Sequence, residues 1–272
     1  MNQPISSLNL PDSIIGKLAN LGFNYCNDLG ENVAQRANIP DYGSLKRAPK
    51  RCTALELCES ESNWKPVTSF IPQLDCLLSK EIASGVVTEL CGLPGTGRTQ
   101  ICLHLAVGVA GETVFIHTNN NLSVERLKEI AEKFVPDVGA LMQKLLCIEA
   151  TNFTELRATV QFLKTWLSNN QIRLLIVDSI AWPLKQQPLM ERPHLIYRLF
   201  QELRILANLH NFAIVVTNDL TTRNTGATSS SFGDSFYHIV NNRILLSRVN
   251  NRFCAKTLKS ANKNSEVFFK FE

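Results

Sequence analysis

No segment of this 272-residue chain approaches the roughly 18 uninterrupted apolar residues that a membrane-spanning helix requires. Met1 to Leu10 lacks a basic stretch followed by an apolar run, so the expectation is a soluble, unprocessed chain with no membrane partner. The eight cysteines (Cys26, Cys52, Cys58, Cys76, Cys91, Cys102, Cys147 and Cys254) include no C-x-x-C pair. Most sit in apolar runs, where a reduced thiol acts as a small hydrophobic side chain, and that is the role expected of them. Internal repeats and low-complexity tracts are missing too, so neither a fibre nor a disordered tail is indicated. Charge of one sign does not dominate: the net charge is +4. It is unevenly placed, however. Arg243 to Glu272 carries seven basic residues against two acidic ones, which leaves +5 there and −1 over the rest. Such local basicity suits either a polyanion contact or a solvated face of the last strands.

What is present is a globular pattern, 44% hydrophobic and long enough to bury a sizeable core. Pro11, Ile14, Ile15, Leu18, Leu21 and Phe23 have helix-like spacing, and Asn20-Leu-Gly22 supplies a stop. The stretch from Pro40 to Ser62 reads as a linker. Its basic cluster, Lys46, Arg47, Lys50 and Arg51, fits either a nuclear address or a solvated connector. From Thr68 onward, apolar runs (Val86–Cys91, Val114–His117, Leu145–Ile148, Leu174–Asp178, Phe212–Thr217) alternate with amphipathic stretches (Thr99–Ala110, Ser123–Phe134, Phe153–Leu167, His194–Leu209). That alternation predicts an α/β fold with a mainly parallel central sheet covered on both faces. Arg243–Ser247, Cys254–Leu258 and Val267–Phe271 follow without intervening helices and predict an antiparallel C-terminal edge. The expected domains are a small helical one over 1–42, a linker with an assembly segment over 43–67, and a core over 68–272.

Chemistry concentrates at Gly92-Leu93-Pro94-Gly95-Thr96-Gly97-Arg98-Thr99-Gln100, which fits G-x-x-x-x-G-K-[ST] except that arginine replaces lysine. The glycines permit a tight loop whose backbone N–H groups point at phosphate oxygens, and the helix that follows adds its positive N-terminus. A buried strand entering and a helix leaving are the context this chemistry needs. A glycine-rich turn with no ligand is the alternative. Leu174-Leu-Ile-Val-Asp178 places a carboxylate at the end of another apolar strand, where it would support a Mg²⁺ ion held by Thr99; as a bare strand-end residue it has no such role.

These elements, with Leu74-Asp75-Cys-Leu-Leu, Val215-Val-Thr-Asn218 and Phe232-Gly-Asp-Ser-Phe-Tyr-His in the same order, resemble the RecA-like recombinase family over nearly the whole chain. The nearest branch is that of the eukaryotic recombinase paralogs. The resemblance implies a RecA-type ATP-binding core preceded by a small helical domain, with ATP and Mg²⁺ as cofactors. It also implies a nuclear role in homologous recombination and double-strand-break repair, meiosis included. Implied partners are other paralogs, the strand-exchange recombinase and single-stranded DNA. Carried over, Thr99 and Asp178 would hold Mg²⁺, and Arg126 matches an arginine that stacks on adenine. The plainer reading of Arg126 is a helix arginine paired with Glu129.

Four positions depart from the family pattern. Arg98 keeps the charge of the motif lysine but spreads it over a bulkier fork. Asn119 stands where the family has a glutamate that activates water, and an amide holds water without accepting its proton. Asp219 replaces an amide that senses the terminal phosphate; a carboxylate there is repelled unless a cation intervenes. Arg51 occupies the phenylalanine position of the self-assembly motif ahead of Ala54, which argues against long homopolymers. The expectation is weak or absent ATP hydrolysis, with Glu125 or Glu89 as substitute base if the chain is an active ATPase, and a scaffold without nucleotide as a further alternative. The two DNA loops look sparse: Leu220 to Phe232 has Arg223 as its sole cation, and Pro183 to Arg192 offers Lys185 and Arg192.

Overall fold

A computed structural model describes residues 4–7, 12–25, 28, 52–109, 113–120, 122–222, 228–262 and 264–271. The chain divides into two compact units, Met1–Asn63 and Trp64–Glu272.

In the first unit, helix α1 (Asp12–Asn20) ends where expected. Gly22 adopts φ +83°, and Phe23 N–H bonds back to the Leu18 carbonyl at 3.0 Å, a left-handed helix stop that a Cβ would disfavour. Pro4 and Tyr25 form an antiparallel bridge, and Ile5 and Leu18 are buried. The expected linker contains a second helix, α2 (Ala54–Ser62). Its start is a capping box in which the Thr53 side chain and Glu56 satisfy each other's backbone N–H groups. The basic residues 46, 47, 50 and 51 lie outside the described residues.

The second unit begins with α3 (Pro72–Leu78) and then alternates β1 (Val87–Gly92), α4 (Arg98–Gly108), β2 (Thr113–His117), α5 (Val124–Phe134), α6 (Val138–Lys144) and β3 (Leu145–Glu149). It continues through α7 (Phe153–Trp166), β4 (Leu174–Asp178), α8 (Ala181–Lys185), α9 (Arg192–His210) and β5 (Ala213–Thr222). The chain closes with β6 (Thr228–Ser230), α10 (Gly233–Ile239), β7 (Asn242–Val249), β8 (Arg252–Lys259) and β9 (Glu266–Phe269).

The strands run β3-β2-β4-β5-β1-β7-β8-β9 across the sheet. The six from β3 to β7 are parallel, β8 and β9 are antiparallel, and β6 pairs with the far end of β5. The mainly parallel sheet and antiparallel edge are as the sequence pattern predicts. Alternate residues of the central strands β2, β4 and β5 feed two apolar clusters, one per face: Phe115, Ile176 and Val215 on one side, Ile116, Val177 and Val216 on the other. That two-sided burial explains why these strands read as continuous apolar runs.

Caps set the helices. The Ser123 hydroxyl accepts from Arg126 N at the start of α5, and Asn152 accepts from Glu155 N at the start of α7. The parallel registers align Gly92 with Asp219 and His117 with Asp178, so the carboxyl ends of β1, β2, β4 and β5 share one edge of the sheet. In open parallel sheets that edge is where ligands bind.

Candidate functional site

β1 runs straight into the loop Gly92–Thr99. Gly95 and Gly97 hold φ +80° and +85°, and α4 starts at Arg98 on the left-handed Gly97 cap. A Cβ at Gly92 would lie 2.8 Å from the Leu246 carbonyl oxygen, while one at Gly97 would lie 2.7 Å from a Phe271 ring carbon. Backbone can approach closely only because both are glycine. Leu93, Pro94 and Gly95 are exposed, Thr96 is buried with its hydroxyl donating to Leu93 O at 2.8 Å, and Thr99 and Gln100 lie half-buried in the first turn of α4. The result is a glycine turn that opens into a helix N-terminus, a setting that suits a phosphate.

Asp178 closes β4 and is 4% exposed. Its Oδ1 accepts from the Thr217 hydroxyl, and its Oδ2 is buried without a hydrogen-bond partner. A buried carboxylate oxygen left in this way fits a cation ligand, so the donors present suit Mg²⁺, with Thr99 as the hydroxyl on the loop. Beside it, Thr118 clips β2 to β4: its hydroxyl accepts from Ser179 N at 2.9 Å and donates to Ser179 O at 2.8 Å. Asn119 follows at the end of β2, half-buried, with its Oδ1 buried and unpartnered.

The charges that depart from the motif meet one another. Arg98 Nη1 lies 2.6 Å from Asn218 O and 2.7 Å from Asp219 Oδ1, and Lys185 Nζ lies 2.5 Å from Asp219 Oδ2. The cations that a carboxylate at position 219 requires are therefore supplied from α4 and α8. Burial is the largest influence on Asp219 and raises its pKa, but hydrogen bonds from Lys185 and Arg98, with their charges, outweigh it and leave the carboxyl below its ordinary value. Lys185 was readable only as a loop cation; its reach to Asp219 depends on α8 folding back beside β5.

Arg126 sits at the start of α5 and makes the pair with Glu129 that its plainer reading expects. Its Nη1 pairs with Glu129 at 2.6 Å, and with the Gln100 amide turned to present its oxygen, Nη2 and Nε donate to it at 3.1 and 3.3 Å. The guanidinium thus stands against the first turn of α4. Glu89 is not a base: it is fully buried in β1, accepts from Arg243 Nε at 2.5 Å and from Asn218 Nδ2 at 2.8 Å, and has no exposed oxygen to offer water. Glu125 is exposed on α5.

Other expectations change. The segment 220–232 is partly a hairpin, with Leu220 paired to Ser230 and Thr222 to Thr228; Arg223 lies outside the described residues. Arg192 is tied to the backbone, donating to Gln187 O and Lys185 O at 2.9 and 2.8 Å. Of the seven basic residues of the C-terminal segment, several have internal partners, while Arg252 and Lys270 are exposed. Arg243 is buried on Glu89, Lys259 donates to Tyr237 O and Val240 O, and Lys256 pairs with Glu266. Four of the seven described cysteines, Cys52, Cys58, Cys76 and Cys147, are exposed, so the core role holds for Cys91, Cys102 and Cys254. Burial pushes Cys91 up to about 12, with the Glu89 charge adding to it.

The chain is similar in sequence to known proteins. A family model described as Rad51 matches residues 65–268. DNA repair protein RAD51 homolog 3 of Cricetulus griseus is 32% identical over 234 residues, covering 73% of this chain and 64% of that one. DNA repair and recombination protein RadA of Aeropyrum pernix is 31% identical over 185 residues, 63% of this chain and 58% of that one. DNA repair protein RAD51 homolog 4 of Bos taurus is 30% identical over 194 residues, 65% of this chain and 59% of that one. The chain spans less than two thirds of the length of these three relatives.

Proposed function

The chain belongs to the Rad51 family of RecA-like recombinases and their paralogs, and from that premise we propose that it is an ATP-binding mediator subunit of homologous recombination with weak or absent ATP hydrolysis. Its setting is DNA double-strand-break repair in the nucleus, meiosis included, in a hetero-oligomer with other paralogs and the strand-exchange recombinase; single-stranded DNA is met through that complex. The domain reading carried into this proposal is a helical domain over 1–42, a linker over 43–67 and the core over 68–272.

One observation carries it. The loop holds Gly95 and Gly97 at positive φ, as a phosphate cradle would need, while the charged groups at its mouth are paired with each other rather than arranged for water attack. Thr99, with Asp178 and its unpartnered Oδ2, would hold Mg²⁺, which when bound neutralises phosphate charge. Arg126 and Gln100 offer a guanidinium and an amide to the base. Asn119 would position water without taking its proton, and losing a positioned base typically costs about 10² to 10⁴ in rate. Glu89 in its ion pair does not replace that base, which weakens the active-ATPase alternative.

The test is a titration of labelled MgATP into the purified chain, followed by phosphate release with and without single-stranded DNA. Binding with turnover close to background is expected. Robust DNA-stimulated turnover overturns the mediator reading, and no binding even at about millimolar ATP, near −4 kcal/mol, leaves a scaffold.

A further inference from the structure

Phosphate binding alone does not call for the ion-pair cluster at the loop mouth. Arg98 leaves the first residue of α4, inside the loop, yet its guanidinium turns to the carboxyl end of β5. There it is 15% exposed and shares the Asp219 carboxylate with Lys185, one cation to each oxygen. Two cations from different elements converging on one anion is the arrangement a terminal phosphate would require of them. Asp219 stands next to the phosphate loop in register with Gly92.

We infer that Asp219 is an internal stand-in for the terminal phosphate, and that it sets this site's preference between nucleoside diphosphate and triphosphate. The inference rests on the nucleotide-binding reading and adds to it the identity of the group that decides how many phosphates are favoured. The α- and β-phosphates of a P-loop ligand are held mainly by backbone N–H groups, whereas the Asp219 carboxylate engages side-chain cations, Arg98 Nη1 and Lys185 Nζ. The third phosphate needs cationic donors. Arg98 and Lys185 are the donors at hand, and both already neutralise a carboxylate. A triphosphate must either leave its terminal charge facing Asp219 or draw the cations away and strand a half-buried carboxylate. Each route removes the advantage that the extra phosphate normally brings. The site therefore binds MgADP and MgATP with affinities within about threefold of each other.

An amide keeps the shape of Asp219 but removes the charge that holds both cations. Asp219→Asn is expected to raise the ratio of ATP to ADP affinity by roughly tenfold, the size of one charge-assisted contact. In the Asp219→Asn background, Lys185→Gln should reverse most of that gain; in the wild-type background it should shift the ratio little, because Asp219 already occupies the lysine. The measurement is competition of MgATP and MgADP against a fluorescent nucleotide for the wild type, both single variants and the double variant, each checked for a cooperative melt. Non-additive coupling of the two positions in the ATP to ADP ratio supports the inference. Binding of both nucleotides with a ratio that Asp219→Asn leaves unchanged overturns it and leaves nucleotide binding standing. Absence of binding by all four well-folded proteins overturns the nucleotide reading itself, and this inference with it.

Discussion

At Gly97 the backbone holds φ +85° and a Phe271 ring carbon stands 2.7 Å from where a Cβ would be. Gly97→Ala therefore meets two separate obstacles, the left-handed conformation and the ring. It should lose about 1 to 3 kcal/mol of stability together with nucleotide binding; pairing it with Phe271→Ala should recover the steric part alone, as urea unfolding of the three variants would show. His104 makes a second residue-level case. Its Nδ1 donates to Ser69 O at 2.8 Å, which leaves Nε2 as a buried, unpartnered acceptor with the Phe134 and Phe271 rings nearby. Burial lowers its pKa from 6.5, the Ser69 bond opposes, and the Arg126 and Lys133 charges reinforce the depression. Below 6.5 the unfolded chain takes up a proton that the folded chain refuses, so stability falls as pH drops until the folded pKa is reached. Urea midpoints should be lower at about pH 5.5 than at about pH 7.5, and His104→Leu should flatten that part of the difference. The loop glycines, Arg98 and Asp178 were all legible in the sequence because each belongs to a local motif. Phe271 was not, since its place against Gly97 is decided by where the edge strands β8 and β9 join the sheet beside β7.

Between elements, the Glu89 and Arg243 pair shows what a sheet can hide from a one-dimensional reading. The two residues are direct partners across β1 and β7, with side chains 0% and 7% exposed. In sequence, Glu89 looked like a spare base and Arg243 like part of a basic tail. Strand order brings them together, and strand order is not encoded in periodicity. The sequence predicted eight strands within a few residues of where they form, yet not the helices α2, α3, α6, α8 and α10. Those five are five to nine residues long, too short for a 3.6-residue pattern to stand out. The pair also supports the site, because Asn218 Nδ2 donates to Glu89 Oε1 at 2.8 Å. Arg243→Met should cost about 3 to 5 kcal/mol by leaving a buried carboxylate without its cation. The double variant Glu89→Gln with Arg243→Met should cost clearly less, since glutamine keeps an acceptor for Asn218 and carries no charge. A double-mutant cycle in urea gives the coupling; simple additivity would mean that the pair contributes nothing beyond its separate side chains.

For the molecule as a whole, the two units contribute unequally. Both apolar clusters draw all their buried members from Val67 onward. Every residue of the candidate site, from Gly92 to Asp219, also lies in the unit Trp64–Glu272. Of the described residues before Trp64, only Ile5 and Leu18 are buried hydrophobics, and the described side chains of α2 are exposed. Domains of about 200 residues carry enough buried surface to fold alone. A chain beginning at Trp64 should therefore melt as one cooperative transition. A ligand present at about 100 times its dissociation constant stabilises by about 2.7 kcal/mol, and MgATP should raise the midpoint of the full and shortened chains by similar amounts. Asp178→Ala should lose most of that increment in both, because the carboxylate with the unpartnered oxygen is gone. If the shortened chain melts normally but gains nothing from MgATP while the full chain does, then Met1–Asn63 takes part in nucleotide binding and the site is not confined to the core. Equal gains would place binding in the unit Trp64–Glu272.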